Sequence, residues 1–210
     1  MNTPNFIFFH GKSCAGKDTQ AHLLHKDLNE NVIELSTGDI FRGAISGQGE
    51  YGRFHDILVP YVALVEKKGR YIPDEPIVQI VKTIVTEKIE EGIETFIFTG
   101  FPRSLGQLKL VDEMVRELEG NNTHLFYEAS DDVIRERARN RRENDLREGK
   151  IPREDDDPAV VERKLITYLE TTYPMLIKLD QEGRLFTVDA EGTIPEIERE
   201  TSAYFSKERL

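Results

Sequence analysis

Short apolar runs alternate along the chain with longer stretches of helical periodicity. Five runs have the length and character of buried strands: Asn5–Phe9, Val32–Leu35, Thr95–Phe98, Leu125–Glu128 and Leu185–Val188. Each is followed by turn or capping residues. Between them the spacing predicts helices over roughly Lys17–Asn29, Pro76–Glu91, Leu105–Leu118, Asp131–Arg142, Pro158–Glu182 and Pro195–Glu208. Strands and helices in alternation build a doubly wound α/β domain, here a five-stranded parallel sheet flanked by helices, and one domain accounts for residues 1–210.

Two stretches exceed a minimal strand–helix repeat. Ser36–Ile72 is rich in glycine and carries an amphipathic segment near Asp56–Lys68. Glu143–Asp157 is strongly polar and lies between two long helices. Both read as insertions over the carboxyl ends of the strands, where α/β sheets bind ligands.

Composition narrows the picture. Hydrophobic residues make up 38% and charged residues 32%, as in globular proteins with a full core. No apolar run approaches the roughly 20 residues that span a bilayer, so no membrane association is expected. Nothing upstream of the first strand resembles a signal peptide, which makes a cytoplasmic location the simplest expectation. A single Cys14 leaves no internal disulfide and argues against a cysteine-based metal site. A net charge of −11 argues against non-specific nucleic-acid binding. Yet Arg135, Arg137, Arg139, Arg141, Arg142, Arg147 and Arg153 crowd one stretch, which suits the holding of a small polyanion.

The strongest motif is Gly11-Lys12-Ser13-Cys14-Ala15-Gly16-Lys17-Asp18-Thr19, after a strand and opening a helix. That is the context of a Walker A phosphate loop, whose backbone N–H groups converge on phosphate oxygens while Lys17 reaches the transferred group. A glycine turn without ligand is the plain alternative, and Asp18 stands where Ser or Thr is usual. Ser36-Thr37-Gly38-Asp39-Ile40-Phe41-Arg42 follows the second strand, with Asp39 as a candidate cap and Arg42 one turn on, placed to clamp an anion. By itself this reads better as a simple capped helix. Gly100-Phe101-Pro102-Arg103 follows the third strand, with Gln107 one turn beyond to read a base edge; a bland Gly-Pro turn is its alternative. Arg137 and Arg141 share a helical face, and Arg153-Glu154-Asp155-Asp156 follows. Surface ion pairing remains the ordinary reading for Arg135 and Arg139.

Taken in order, these four motifs resemble the adenylate kinase (nucleoside monophosphate kinase) family, from about Phe6 to Tyr168. The family's G-x-P-G-x-G-K-G-T-Q stands here as Gly11–Gln20, its S-T-G-D-x-x-R as Ser36–Arg42, and its D-G-F-P-R-T-x-x-Q as Thr99–Gln107. Its R-x-x-x-R-R and R-x-D-D match Arg137, Arg141, Arg142 and Arg153, Asp155, Asp156.

The resemblance implies a P-loop NTPase-type fold and an enzyme joining ATP and AMP reversibly to give two ADP. The implied acceptor site is Thr37, Arg42, Ile72, Gly100, Arg103 and Gln107. The implied donor site is Gly11, Ser13, Cys14, Ala15, Gly16, Lys17, Asp18 and Thr19, with Arg137 on the base and Lys164 near the phosphates. Lys17, Arg42, Arg103, Arg141 and Arg153 would stabilise the transferring charge. Mg²⁺ would accompany ATP. Residues 36–72 would form the acceptor-binding insertion and 143–157 a short lid, too short for the small domain with a zinc site found in long-lid relatives, so no zinc is expected. A monomer is expected. Thr37 and Gln107 favour AMP, since UMP/CMP kinases tend to carry Ala at the first position and Asn in place of Ser104.

Departures keep alternatives open. Cys14 and Asp18 replace loop glycines, Thr99 replaces an Asp that helps hold hydrated Mg²⁺, and Lys164 replaces an Arg. Asp18 is a candidate to take over the carboxylate role through a water. The alternatives are a kinase for another monophosphate or using GTP, and a nucleotide-binding regulatory protein with weakened catalysis. Ordinary structural roles are expected for His10, His22, His25, His55 and His124.

Overall fold

A computed structural model describes residues 3–28 and 31–208. Five strands, β1 (Asn5–His10), β2 (Val32–Ser36), β3 (Thr95–Thr99), β4 (Asn121–Glu128) and β5 (Leu185–Asp189), form one parallel sheet in the order β2-β3-β1-β4-β5. Every pairing is parallel, with Phe8 opposite Phe98 on one side and His124 on the other. All five strands lie where the apolar runs predict them. Only β4 begins earlier, because polar Asn121–His124 continue the backbone ladder with Asn5–Phe8, a contact that side-chain hydrophobicity does not signal.

A parallel sheet is covered on both faces, so its central strands are apolar throughout. Phe6 and Phe8 of β1 stack with Phe96 and Phe98 of β3, at 5.4 and 5.0 Å between ring centroids. This face packs against α2 (Thr37–Ser46), α4 (Asp74–Glu90) and α5 (Leu105–Glu117) through Ile40, Ile80, Val81, Ile84 and Val111. Ile7, Phe9, Leu125 and Tyr127 point the other way, onto α1 (Lys17–Asp27), α6 (Asp131–Arg147) and α9 (Ile194–Glu208). The chain runs from β1 outward to β2 on one side, and from β3 across to β4 on the other. The crevice above β1 is therefore the topological switch point, where such sheets take ligands.

Three helical expectations need correction. The helix after β4 continues to Arg147 rather than ending at Arg142, since Glu143–Arg147 is composed of acceptable helix formers and ends before Gly149 at φ +71°. The single helix expected over Pro158–Glu182 is α7 (Pro158–Thr167), a π turn over Tyr168–Thr172 and α8 (Tyr173–Gln181). Pro174 lacks an N–H and its ring crowds the carbonyl four residues back, which a widened turn relieves. The amphipathic segment near Asp56–Lys68 breaks at Pro60 into α3 (His55–Leu58), a 3-10 turn (Val59–Tyr61) and a π turn (Ala63–Lys67). The predicted helix end at Asn29 lies outside the described residues. No helix among the described residues is long and apolar enough to cross a membrane.

A pair of histidines lies in the core. His10 Nε2 and His124 Nδ1 lie 2.9 Å apart, both side chains buried and their rings stacked, with Phe8 stacked against His124 at 4.9 Å. Burial, then Lys17, pushes His10 down to about 3, and burial with His10 and Arg184 holds His124 well below the usual imidazole range. The unfolded chain therefore binds more protons than the folded one between about pH 6.5 and 3. The stability contributed by the neutral pair is complete above pH 6.5 and lost as pH falls towards 3. Unfolding free energy measured by urea titration should drop by about 2–3 kcal/mol from His10 alone between pH 7 and 4.5, and by more with His124. The H10F/H124L double variant should lose most of that acid sensitivity; an unchanged pH dependence would reject the assignment.

Candidate active site

The loops at the carboxyl ends of β1, β2 and β3 meet α6 and α7 around a cavity of about 850 Å³. Of the residues predicted for the site, all but Ala15 line it: the loop residues Gly11, Ser13, Cys14, Gly16, Lys17, Asp18 and Thr19, then Thr37, Arg42, Ile72, Gly100, Arg103, Gln107, Arg137, Arg141, Arg153 and Lys164. Ala15 is fully buried beneath the loop, in the core that packs on α1.

The phosphate loop is shaped by β1 and by α1. Gly11 sits at φ +137°, and a Cβ there would come within 2.6 Å of the Tyr127 carbonyl oxygen, so the chain leaves the strand only as glycine. Cys14, the residue that replaces a family glycine, adopts φ +65°; the left-handed geometry is kept although a side chain makes it costly. Gly16 precedes α1 without a side-chain cap, leaving first-turn N–H groups directed to the cavity. Lys17 is buried and its ammonium donates to the Lys12 carbonyl at 2.6 Å. Burial lowers its pKa to about 8; Asp18 opposes the shift and Arg103 and Arg141 add to it.

Asp18 is open to the cavity yet ringed by cations. Burial by surrounding protein works to raise its pKa, but Lys17, the Thr99 hydroxyl, Arg103 and Arg42 outweigh it and hold the carboxyl below the usual range. The two departures from the family pattern, Asp18 and Thr99, are thus neighbours.

On the opposite side, Ser36 rather than Asp39 caps α2, its hydroxyl accepting from the Asp39 N–H at 3.4 Å. Asp39 instead accepts from Arg42 at 2.6 Å. Thr37 donates to the Gly100 carbonyl at 3.0 Å, joining β2 to the β3 loop. Gly100, at φ +68°, leaves room for the Arg103 guanidinium, which a Cβ would meet at 2.4 Å. Arg103 Nε donates back to the Gly100 carbonyl, and its guanidinium lies 4.8 Å from the Tyr71 ring centroid. The Gln107 carbonyl oxygen accepts from the Arg103 N–H at 2.7 Å, which leaves the amide NH₂ as the end that can meet a ligand. Gln107 is buried, and Ser104 caps its helix while bonding Asp74 at 2.7 Å.

Arg141 donates bidentately to Asp156, with Nε to Oδ2 at 2.7 Å and a second, shorter bond. This bond raises the pKa of Arg141 and fixes the plane of its guanidinium. Arg137 reaches the Gly192 carbonyl at 3.3 Å, beside Gln20, which donates to the Ile194 carbonyl at 3.2 Å. Arg135 pairs on the surface with Glu162 and Asp132, the ordinary role expected of it. Sequence reasoning did not single out Tyr71, Asp74 or Thr172, and gave Asp155 and Asp156 no role of their own. The two aspartates sat inside a quoted motif; the other three carry no local signal, because their partners lie 30 to 101 residues away.

A glycine-bent loop between strand and helix, a buried lysine beneath it, and arginines converging from three other elements define a P-loop phosphotransferase. The chain belongs to the adenylate kinase family, whose family model, "Adenylate kinase", matches residues 9–183. Relatives named adenylate kinase include one from Thermosipho melanesiensis, 31% identical over 92% of this chain and 96% of its own. Another from Hyphomonas neptunium is 31% identical over 95% and 96%, and one from Corynebacterium urealyticum is 30% identical over 94% and 97%.

Proposed function

We propose that this nucleoside monophosphate kinase transfers the terminal phosphoryl group of ATP to AMP, giving two ADP. The observation that carries the reading is that the phosphate loop before α1 lines the same cavity as Arg42 and Arg103. Lys17 and the first-turn N–H groups of α1 bind the donor phosphates, with Arg137 near the base. Arg42 and Arg103 grip the acceptor phosphate, with Thr37, Ile72, Gly100 and Gln107 around its nucleoside. Arg141, Arg153 and Lys164 close on the charge in transit, so the protein's work is alignment and electrostatic stabilisation. Residues 36–72 form the acceptor-binding insertion and 143–157 the lid; their closure excludes water and prevents hydrolysis of ATP.

The test is to incubate purified protein with ATP and Mg²⁺ and each of AMP, UMP, CMP and GMP, then repeat with GTP as donor, and measure diphosphate. Product with AMP and ATP above all other pairs is expected. Preferred turnover of another pair would replace the substrate assignment, and nucleotide binding with no product would favour a regulatory protein.

The residues present suit a divalent cation carried by ATP. A carboxylate in the phosphate loop, held ionised beside Thr99, would repel the donor unless a cation lay between them. Asp18 would hold Mg²⁺ through water, and the cation supplies charge neutralisation on the donor phosphates. Asp18→Gly should raise the Mg²⁺ concentration for half-maximal rate by about tenfold or more, within the range that ligand-shell changes produce. It should also weaken Mn²⁺ binding to the protein–ATP complex, read by paramagnetic relaxation. Unchanged Mn²⁺ affinity, or a faster enzyme, would sink the idea.

A further inference from the structure

Nine lysine and arginine side chains line the cleft against three carboxylates, Asp18, Glu66 and Asp155. Cations gathered so closely repel one another, and Arg103 depresses both Lys17 and Lys164. Asp155 offsets part of that repulsion, at Lys164 and Arg42. It lies in the 3-10 turn Glu154–Asp156, in the last residues of the 143–157 lid and just before α7. Its Oδ1 is 2.5 Å from Lys164 Nζ on α7, and its Oδ2 is 3.9 Å from Arg42 Nη1 on α2. Arg42 divides its guanidinium between this carboxylate and Asp39. One anion therefore ties an arginine of the acceptor side to a lysine anchored beside the lid.

We propose that Asp155 is a positioning residue whose carboxylate occupies the place of a phosphoryl group between Arg42 and Lys164. It holds Arg42 and Lys164 at the transfer site and surrenders them to an incoming phosphate. A carboxylate and a phosphoryl group present oxygens to guanidinium and ammonium groups in the same manner, so each can replace the other. The arrangement has two opposite consequences. Asp155 competes with ligand phosphate and so weakens its binding. It also keeps the cations set before the ligand arrives, so transfer loses no time in gathering them. An aspartate that only supported the fold would, on removal, weaken binding and turnover together.

The inference deepens the kinase reading and rests on it for the turnover arm, but its binding arm uses inorganic phosphate and stands separately. The Kd for inorganic phosphate and for AMP is measured by calorimetry in the whole protein and in D155N, with D155E as the charge-retaining control. D155N should bind both about three- to tenfold more tightly, as expected from removing a competing, partly exposed ion pair, while turnover falls. D155E should return both values towards the parent. Added phosphate should raise the melting temperature of D155N more than that of the parent, which keeps the test open if D155N is less stable. Phosphate affinity that is unchanged or weaker in D155N, with a smaller melting shift, overturns the proposal. Tighter phosphate in D155N from a parent that makes no diphosphate would uphold this inference and reject the kinase reading.

Discussion

Lys17→Met is expected to slow phosphoryl transfer by about a thousandfold or more while changing ATP affinity far less. The backbone N–H groups of the loop and of α1 survive the substitution, so much ground-state binding of phosphate persists. What disappears is a buried cation placed to follow the transferring group, the kind of preorganised electrostatic contact whose loss costs about two to three orders of magnitude. Lys17 donates to the Lys12 carbonyl, and burial lowers its pKa to about 8. An arriving phosphate favours the charged form, so binding takes up a proton on Lys17 where the pH exceeds that value. The apparent affinity for ATP should accordingly fall as pH rises through about 8, and K17M should lack that alkaline limb. Lys17→Arg should not rescue, because a rigid planar fork does not fit a site shaped for a compact ammonium. A coupled assay of ADP release measures the rate, and a K17M enzyme within tenfold of the parent would place the donor phosphates elsewhere.

The sheet was legible because each strand carries a short, mainly apolar run bounded by turn or capping residues, most continuous in β1 and β3. The phosphate loop was legible because its residues are consecutive: Gly11, Gly16 and Lys17 carry their geometry locally. The pairing of Asp18 with Thr99 was not, since it depends on β1 and β3 being neighbours in the sheet, which spacing along the chain does not encode. Pro174 lay in view, but whether a proline kinks, ends or widens a helix depends on what packs against it. The end of α6 was misjudged for a related reason. A polar stretch without apolar periodicity reads as loop, yet a helix that leaves the core needs only acceptable propensity to continue. His10 and His124 went unpaired in the sequence because they are 114 residues apart, and only the β1–β4 register, which sets His124 opposite Phe8 and so diagonal to His10, brings their rings together.

Asp156 shows how much a supporting carboxylate can decide. Its side chain is fully buried, and both its oxygens are committed to Arg141, which is itself about one-third exposed towards the cleft. Asp156→Asn keeps the size of the side chain but replaces one acceptor with an NH₂ group facing a guanidinium, donor against donor. Arg141 then has a desolvated side without its counter-charge. Breaking fully buried pairs of this kind costs about 3–5 kcal/mol, and the partial exposure of Arg141 brings the expectation here to about 2–3 kcal/mol of unfolding free energy. The functional loss should be larger in proportion. A guanidinium released from its fixed plane samples several rotamers, and a misplacement of about 1 Å is enough to cost on the order of a hundredfold in rate. Arg141→Ala should slow transfer to a similar degree, and adding Asp156→Asn to it should cost little more in rate, because both act through one guanidinium. If the two rate losses instead multiply, Asp156 acts on the reaction by a route other than Arg141. If D156N keeps full turnover while losing stability, the carboxylate serves the fold alone and Arg141 is not among the groups that stabilise the transferring phosphoryl.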